Sequence, residues 1–331
     1  MNCIVSTFAK PPKQYIPMTI QQIISEAYRQ LSGLYPETEI ESFMRILFRY
    51  YLGMTPVQVQ LSRNHELMAG IEKQIRDAVN ELTKYRPIQY IIGETEFYGL
   101  TFELTSDVLI PRPETEELVD WIVHEYDRNA ALTMIDIGAG SGCIAVALAV
   151  NFPNTDVWAV DISEAALSIA QRNALKNKVN INILAKDVLK DGAMGFKTSS
   201  TDVIVSNPPY IAPSEKGQML PNVLKYEPHS ALFTPENDPL IFYKRIAAFG
   251  AKCLRNKGKV FFEINETFSA EVAEILRQNH YSDIVLRKDI NGKWRMVSAE
   301  FRMTLNPQAI IFDFHPEIFR RFFLQKVQKI D

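Results

Sequence analysis

Apolar residues recur at intervals of three and four positions through most of residues 1–85, the spacing that places side chains on one face of an α-helix. The first of these apolar stripes starts at Ile20, directly after Thr19. Thr19 and Gln22 together form a capping-box sequence. Asn64 is expected to cap a later, longer helix. Helices joined by such short connections favour a small all-α bundle, which is either a structural cap or a docking module for a macromolecular substrate.

The pattern then changes to that of β-structure. Residues 86–107 are predicted to form a β-hairpin linker that turns near Gly99. Beyond the linker, short apolar runs alternate with helical stripes. The runs that predict strands are 132–137, 156–160, 181–185, 203–206, 259–264, 283–286 and 294–301. This alternation predicts an α/β domain over residues 108–303 with a doubly wound, mostly parallel seven-stranded sheet. Apolar and basic residues at helical spacing predict a helical C-terminal extension over residues 304–331.

Composition narrows the choice of function. The 331 residues carry 36 basic and 39 acidic side chains, so the chain lacks the overall positive charge typical of proteins that bind nucleic acid. The three cysteines, Cys3, Cys143 and Cys253, are not spaced as a zinc site or a disulfide framework, and no metal site is expected. The longest apolar run is too short to cross a bilayer, so a cytoplasmic protein without membrane association is expected.

One short segment combines a buried strand with a rigid turn. Residues 203–206 are predicted to form the strand, and Pro208 and Pro209 directly after it forbid both a helix and a continued ladder. Open α/β sheets bind ligands at the carboxyl ends of their strands, so the side-chain amide of Asn207 and the carbonyl of Pro208 should face a small molecule. Together they could hold an NH2 group. A stiff turn with no binding role is the alternative.

A glycine-rich turn follows the first predicted strand of the α/β domain. Its sequence is Gly138-Ala139-Gly140-Ser141-Gly142, and alternate glycines let a ligand approach the backbone closely. The dinucleotide fingerprint requires a glycine at the next position, where this chain has Cys143, so a pyrophosphate site is disfavoured. The turn instead suits a nucleoside that carries a carboxylate and an ammonium group.

The next two strands end in carboxylates. Asp161 is placed where a side chain can accept hydrogen bonds from both hydroxyls of a ribose, although it could also be a helix N-cap, as could Ser163. Asp187 ends the third strand, where a carboxylate can reach the exocyclic amine of adenine. Consecutive strand ends therefore offer contacts for the tail, the ribose and the base of one ligand.

The order of these motifs resembles the class I S-adenosylmethionine-dependent methyltransferases that methylate amino groups. Further stretches are similar to the HemK/PrmC family of bacterial release-factor glutamine methyltransferases. They are Phe97-Tyr98-Gly99, Ile110-Pro111-Arg112-Pro113-Glu114-Thr115-Glu116, Ile211, and Tyr226-Glu227-Pro228 with Ala231-Leu232. The resemblance spans residues 19–302. One departure is Asn265, which stands where relatives usually have glycine and is expected to be peripheral.

The resemblance implies a Rossmann-like methyltransferase fold and a specific reaction. A methyl group would pass from S-adenosylmethionine to the side-chain amide nitrogen, N5, of the glutamine in the Gly-Gly-Gln motif of class I peptide chain release factors. The release factor would be the partner, and no direct binding of DNA is expected. The protein is expected to act as a monomer.

The resemblance also implies residue roles, carried over by position. The residues that would hold the cofactor are Gly138, Ala139, Gly140, Ser141, Gly142, Asp161, Ile162, Asp187, Val188 and Asn207. The residues that would form the catalytic clamp and the substrate site are Asn207, Pro208, Pro209 and Tyr210, with Phe97 and Arg112 as further substrate contacts. For Arg112, a surface ion pair with Glu114 or Glu116 is an equally good explanation.

Two other functions stay open from the sequence. An N6-adenine or other nucleic-acid amino methyltransferase would use the same clamp, because adenine presents a similar NH2 group. Such an enzyme would be expected to carry a basic target-recognition region, which this acidic chain does not show. The remaining alternative is a non-enzymatic scaffold on the ribosome that binds S-adenosylmethionine, and the intact clamp argues against it.

Overall fold

In the computed structural model, which describes residues 17–192 and 194–303, the chain is divided between two units. Among the described residues, the first unit combines residues 17–110 with the segment Ser214–His229. The second unit contains residues 111–192, 194–213 and 230–303. The helical extension predicted for residues 304–331 lies outside the described residues.

The helices and strands of the described residues are numbered separately, each in chain order. The helices are α1 Ile20–Leu31, α2 Glu37–Leu52, α3 Pro56–Leu61, α4 Ala69–Leu82, α5 Ile88–Ile92, α6 Pro113–Glu125, α7 Cys143–Asn151, α8 Glu164–Lys176, α9 Pro221–Tyr226, α10 His229–Leu232, α11 Ile241–Cys253 and α12 Ser269–Gln278. The strands are β1 Glu94–Phe97, β2 Leu100–Glu103, β3 Thr133–Ile137, β4 Asp156–Asp161, β5 Asn182–Ala185, β6 Thr201–Ser206, β7 Leu254–Glu263, β8 Tyr281–Lys288 and β9 Trp294–Phe301. No helix within this part of the chain is long and apolar enough to cross a membrane.

Two helix caps were predicted in the first unit, at Thr19 with Gln22 and at Asn64, and the structure has only the first. Thr19 and Gln22 make the predicted capping box at the start of α1, because each side chain accepts a hydrogen bond from the other's backbone N–H. The predicted cap at Asn64 is wrong, since α4 starts later and has Met68 as its N-cap residue. The intervening segment instead pairs with the residues before α1, where the Leu67 N–H donates to the Met18 carbonyl at 2.9 Å.

Within residues 86–107, where a hairpin linker was predicted, the structure has the helix α5 followed by β1 and β2, which pair in antiparallel register around a two-residue turn. Tyr98 and Gly99 form that turn with φ of 50° and 72°, the left-handed values that two-residue hairpins favour. The segment Ser214–His229 returns to the first unit much later in the sequence. Within it, the Tyr226 hydroxyl at the end of α9 donates to the Lys84 carbonyl at 2.9 Å.

The second unit is built on a seven-stranded sheet with the order β5-β4-β3-β6-β7-β9-β8. The strands from β5 to β7 run parallel, and β9 is antiparallel to both of its neighbours. This arrangement confirms the predicted mostly parallel, seven-stranded α/β fold. Every residue of the central strand β6 is buried, which is typical of a parallel strand covered on both faces.

The order in which the chain adds strands to the sheet reverses beside β3. The chain proceeds outward from β3 through β4 to β5 and then returns to place β6 on the other side of β3. Open α/β sheets bind ligands beside such a switch point, outside the carboxyl ends of the strands. There the Ser206 hydroxyl donates to the Ile137 carbonyl at 2.6 Å, so the ends of β6 and β3 are fastened together.

Candidate active site

The glycine-rich turn after β3 is held in place by hydrogen bonds to neighbouring elements. The N–H groups of Gly138 and Ala139 both donate to the Val160 carbonyl near the end of β4, at 2.8 and 3.1 Å. On the other side of the turn, the Ser141 carbonyl accepts from the side-chain amide of Asn173 on α8 at 2.9 Å. The turn is therefore a fixed cradle of backbone groups at the N-terminus of α7.

Gly142 has two separate reasons to be glycine. Its φ is +77°, and a Cβ built on it would lie 2.7 Å from the Cβ of Ala170 on α8. Gly140 has a φ of +53° as well, but nothing lies within 4 Å of its Cβ position. The two glycines therefore form a matched pair that separates backbone strain from close packing.

Gly142→Ala is expected to destabilise the protein more than Gly140→Ala does. Both variants incur about 1–2 kcal/mol for a left-handed alanine. Gly142→Ala adds about 1–3 kcal/mol because α7 and α8 must shift apart. Urea unfolding of the two purified variants beside the wild type measures both costs. Equal unfolding midpoints would show that the approach of Gly142 to α8 imposes no constraint.

Asp161 braces the glycine-rich turn. One of its carboxylate oxygens accepts from the Gly140 N–H and the other from the Ser163 N–H, both at 2.9 Å. Ser163 is the N-cap of α8, because its hydroxyl accepts from the Ala166 N–H. Asp161 therefore does not cap the helix, and its carboxylate retains lone pairs that can accept hydrogen bonds from two further hydroxyls.

The carboxylate of Asp187 lies two residues beyond the end of β5 and shapes the turn there. It accepts from the Leu189 N–H at 2.9 Å and lies 3.2 Å from the Lys190 ammonium. Val188 between them is half-buried against the core of the second unit. Ile162, which follows Asp161, has 64% of its surface exposed and offers an apolar side chain at the sheet edge. The predicted contacts of these residues with the adenine stay predictions.

Asp136 in β3 is a site residue that the sequence analysis did not assign. Its side chain is buried, and one oxygen accepts from the Ala145 N–H in the first turn of α7 at 3.1 Å. The other oxygen has no hydrogen-bond partner among the described residues. Burial raises the pKa of Asp136 from 3.8 to about 8. A buried carboxyl oxygen without a partner at the base of the glycine-rich turn fits a cofactor that carries an ammonium group, because that positive charge would favour the ionised form of Asp136.

The raised pKa of Asp136 makes the stability of the ligand-free protein depend on pH. The folded protein binds this proton more tightly than the unfolded chain, so the free energy of unfolding falls as the pH rises from about 4 to about 8. The slope from this group is about 1.4 kcal/mol per pH unit at most. Asp136→Asn should therefore gain stability relative to the wild type as the pH rises through that range.

Urea unfolding at several pH values measures this difference, because all other titrating groups are shared by the two proteins. Asp156→Asn is the matched control, since Asp156 is exposed at the opposite end of the sheet, where β4 starts. A constant difference between Asp136→Asn and the wild type at every pH would contradict the prediction.

The clamp residues follow β6 at the switch point, as predicted. Asn207 is half-buried, and its side-chain nitrogen donates to the Thr115 hydroxyl at 3.0 Å. Pro208 is buried, whereas Pro209 and Tyr210 are partly exposed. The Tyr210 hydroxyl donates to one oxygen of Glu263 at 3.0 Å. Burial raises the pKa of Tyr210 far above its usual value, so this hydroxyl stays protonated and is not a base.

The register of β6 and β7 aligns Ser206 with Phe262. The next residues along the chain are Asn207 and Glu263 respectively, so Glu263 lies beside the clamp. The residue is 1% exposed, and its carboxylate accepts from the hydroxyls of both Tyr210 and Thr115. Burial raises the pKa of Glu263, and the hydrogen bonds from those two hydroxyls and the charge of Arg295 oppose that rise.

Asn265 is connected to the clamp and is not peripheral. Its side-chain amide donates to the Tyr210 carbonyl at 3.4 Å, and its oxygen accepts from the Thr267 N–H at 3.0 Å. A glycine at this position would provide neither bond. The departure from the family pattern therefore adds a tether to the turn that carries Tyr210.

The last two predicted site residues lie in different parts of the chain. Arg112 is the N-cap residue of α6 in the second unit, and its charge slightly opposes the rise in the pKa of Tyr210 that burial causes. Phe97 belongs to β1 in the first unit, where its buried ring makes an edge contact with Phe102. Their predicted contacts with the substrate stay predictions. Within 17–192 and 194–303, no cluster of histidine, cysteine or acidic residues could hold a metal ion.

Comparison with known proteins matches both units. A family model described as the PrmC N-terminal domain matches residues 22–93, and one described as the methyltransferase small domain matches residues 117–228. The release factor glutamine methyltransferase of Flavobacterium psychrophilum is 41% identical over 288 residues, which cover 86% of this chain and 100% of that protein. The chain belongs to the release factor glutamine methyltransferase family. The enzyme of the same name from Bacteroides thetaiotaomicron is 40% identical over 280 residues, which cover 85% of this chain and 99% of that protein.

Membership of this family confirms the assignment made from the motifs. It also confirms the prediction of S-adenosylmethionine as the cofactor, because release factor glutamine methyltransferases are class I enzymes that depend on it. The acceptors on Asp136 and Asp161 and the backbone of the glycine-rich turn suit its ammonium group and its ribose hydroxyls.

Proposed function

We propose that the protein methylates the side-chain amide nitrogen of the glutamine in the Gly-Gly-Gln motif of peptide chain release factors. The position of the Asn207 amide and the rigid Pro208 carbonyl at the switch point, beside the glycine-rich turn, carries this proposal. The two relatives described above are both release factor glutamine methyltransferases. We further propose that the protein acts as a monomer in the cytoplasm and that its N-terminal helical bundle docks the release factor.

The chemistry requires the substrate nitrogen to be positioned more than it requires a base. The lone pair of an amide nitrogen is delocalised into its carbonyl, so the nitrogen is a poor nucleophile. The Asn207 side-chain oxygen and the Pro208 carbonyl can each accept one N–H of the substrate amide and hold the nitrogen in line for attack. The same two acceptors stabilise the positive charge that develops on the nitrogen.

The cofactor supplies an electrophilic methyl group on a sulfonium. The two acceptors retain the substrate protons until the methyl group has been transferred, when the nitrogen becomes acidic and one proton is lost to solvent. No ionised side chain has to remove a proton earlier. This agrees with the protonated state of Tyr210 and with the engagement of both Glu263 oxygens by hydroxyl groups.

The decisive experiment offers the purified protein labelled S-adenosylmethionine and a choice of substrates. These are an intact release factor, the same factor with the motif glutamine replaced by asparagine, and an adenine-containing DNA duplex. Label is expected on the first substrate alone. Label on the DNA would support the nucleic-acid alternative, and binding of the cofactor with no transfer to any substrate would support the scaffold alternative.

A further inference from the structure

We propose that Thr115 and Glu263 form a hydrogen-bond relay that sets the orientation of the Asn207 amide and thereby presents its oxygen to the substrate. Thr115 lies within the first turn of α6, and Glu263 is the last residue of β7. Both are positioning residues that act through Asn207. The inference rests on the proposed function, because it concerns how the clamp receives an NH2 group.

The direction of each hydrogen bond follows from the number of hydrogens available. The Thr115 hydroxyl has one hydrogen and lies 2.6 Å from an oxygen of Glu263. An ionised carboxylate can only accept, so Thr115 must donate to it. The hydroxyl has then used its hydrogen and can only accept from Asn207, whose nearest side-chain atom must be the NH2 group, at 3.0 Å.

This direction determines what the other end of the amide offers. With the NH2 group of Asn207 turned to Thr115, its oxygen is the atom left for the substrate. The opposite orientation would present NH2 to the NH2 of a glutamine, a contact between two donors that cannot form a hydrogen bond. An asparagine without a fixed partner could adopt either orientation, so the relay supplies the preference.

Each carboxylate oxygen of Glu263 has a hydroxyl group within hydrogen-bond distance. Tyr210 donates to the second oxygen at 3.0 Å, and the Tyr243 hydroxyl donates to the backbone carbonyl of Glu263 at 3.1 Å. Burial raises the pKa of Glu263 most, and the charge of Glu114 raises it further, whereas the hydrogen bonds from Thr115 and Tyr210 and the charge of Arg295 favour the ionised form. A buried carboxylate is costly unless it is fully hydrogen-bonded, and here both of its partners are residues at the clamp.

Thr115→Val tests the relay, because valine keeps the shape of threonine and removes only the hydroxyl. We expect kcat for release-factor methylation to fall about tenfold, the equivalent of one lost hydrogen bond. Thr115→Ser keeps the hydroxyl and should restore most of the activity. Affinity for S-adenosylmethionine, measured calorimetrically, should stay within about twofold, since the variant alters substrate orientation. Thr155→Val, at the opposite edge of the sheet, is the matched control.

A double-mutant cycle shows whether Thr115 acts through Asn207. In the Asn207→Ala background, Thr115→Val should cause no further loss, because the amide that it orients is gone. A full tenfold loss in that background, or wild-type activity of Thr115→Val alone, would overturn the relay. If Thr115→Val does not fold, Thr115→Ala provides the same cycle, since it also removes the hydroxyl that accepts from Asn207. A wild-type protein that fails to methylate release factor would overturn the proposed function, whereas the outcomes above concern the relay alone.

Discussion

Asn207→Ala is expected to lower kcat for release-factor methylation roughly 10²-fold or more while the protein stays folded. The variant removes the side-chain acceptor for one substrate N–H, and only the Pro208 carbonyl is left to hold the amide. The loss resembles that of one preorganised oxyanion-hole donor in size, because a fixed dipole at the developing charge disappears. Steady-state kinetics with saturating cofactor measure the effect, and circular dichroism verifies the fold.

The control for this variant is Asn151→Ala. Asn151 ends α7, where its side chain donates to the Ala147 carbonyl of its own helix. The control should retain wild-type turnover. Near-normal turnover of Asn207→Ala itself would rule out the clamp.

Asp161→Asn is expected to weaken the binding of S-adenosylmethionine by roughly 10- to 100-fold. The two carboxylate oxygens of Asp161 accept from the N–H groups of Gly140 and Ser163, and an asparagine can present an oxygen to only one of them. The variant therefore disturbs the glycine-rich turn and also loses the negative charge that would accept from the ribose hydroxyls. Isothermal titration calorimetry measures the affinity directly.

Asp156→Asn serves as the comparison, because Asp156 starts the strand that Asp161 ends. Its carboxylate accepts from the Trp158 ring and the Asn182 side chain, away from the switch point. This variant should bind the cofactor as the wild type does. Equal affinities for Asp161→Asn and Asp156→Asn would exclude Asp161 from the cofactor site.

The sheet and the first part of the site could be predicted from sequence because both depend on local patterns. Buried parallel strands are runs of apolar residues, and their ends can be located within a few residues, so Gly138, Asp161 and Asn207 were found as residues that follow strands. The same rule applied to the predicted strand at 259–264 selects Asn265 and misses Glu263, which lies inside that predicted strand. Thr115 carried no such signal, since it meets Glu263 across 148 positions of sequence.

Other features escaped prediction for related reasons. α9 buries none of its six residues, so it has no apolar stripe to detect. The Asn64 cap was predicted from a local signal that a tertiary pairing overrides, because Leu67 is held by Met18 before α4 starts. Asp136 looked like an ordinary strand residue. Its candidate role in the site rests on a carboxyl oxygen that has no hydrogen-bond partner among the described residues. A sequence does not contain that information.

The division of the first unit into two stretches of sequence has a consequence for biosynthesis. A ribosome releases helices α1 to α5 and the hairpin early, but Ser214–His229 follows only after β3 to β6 have been made. The Tyr226–Lys84 hydrogen bond closes a loop of 142 positions, and contacts between such distant residues form slowly. The first unit therefore cannot be completed before Ser214–His229 has been synthesised. We expect the two units to fold together during translation.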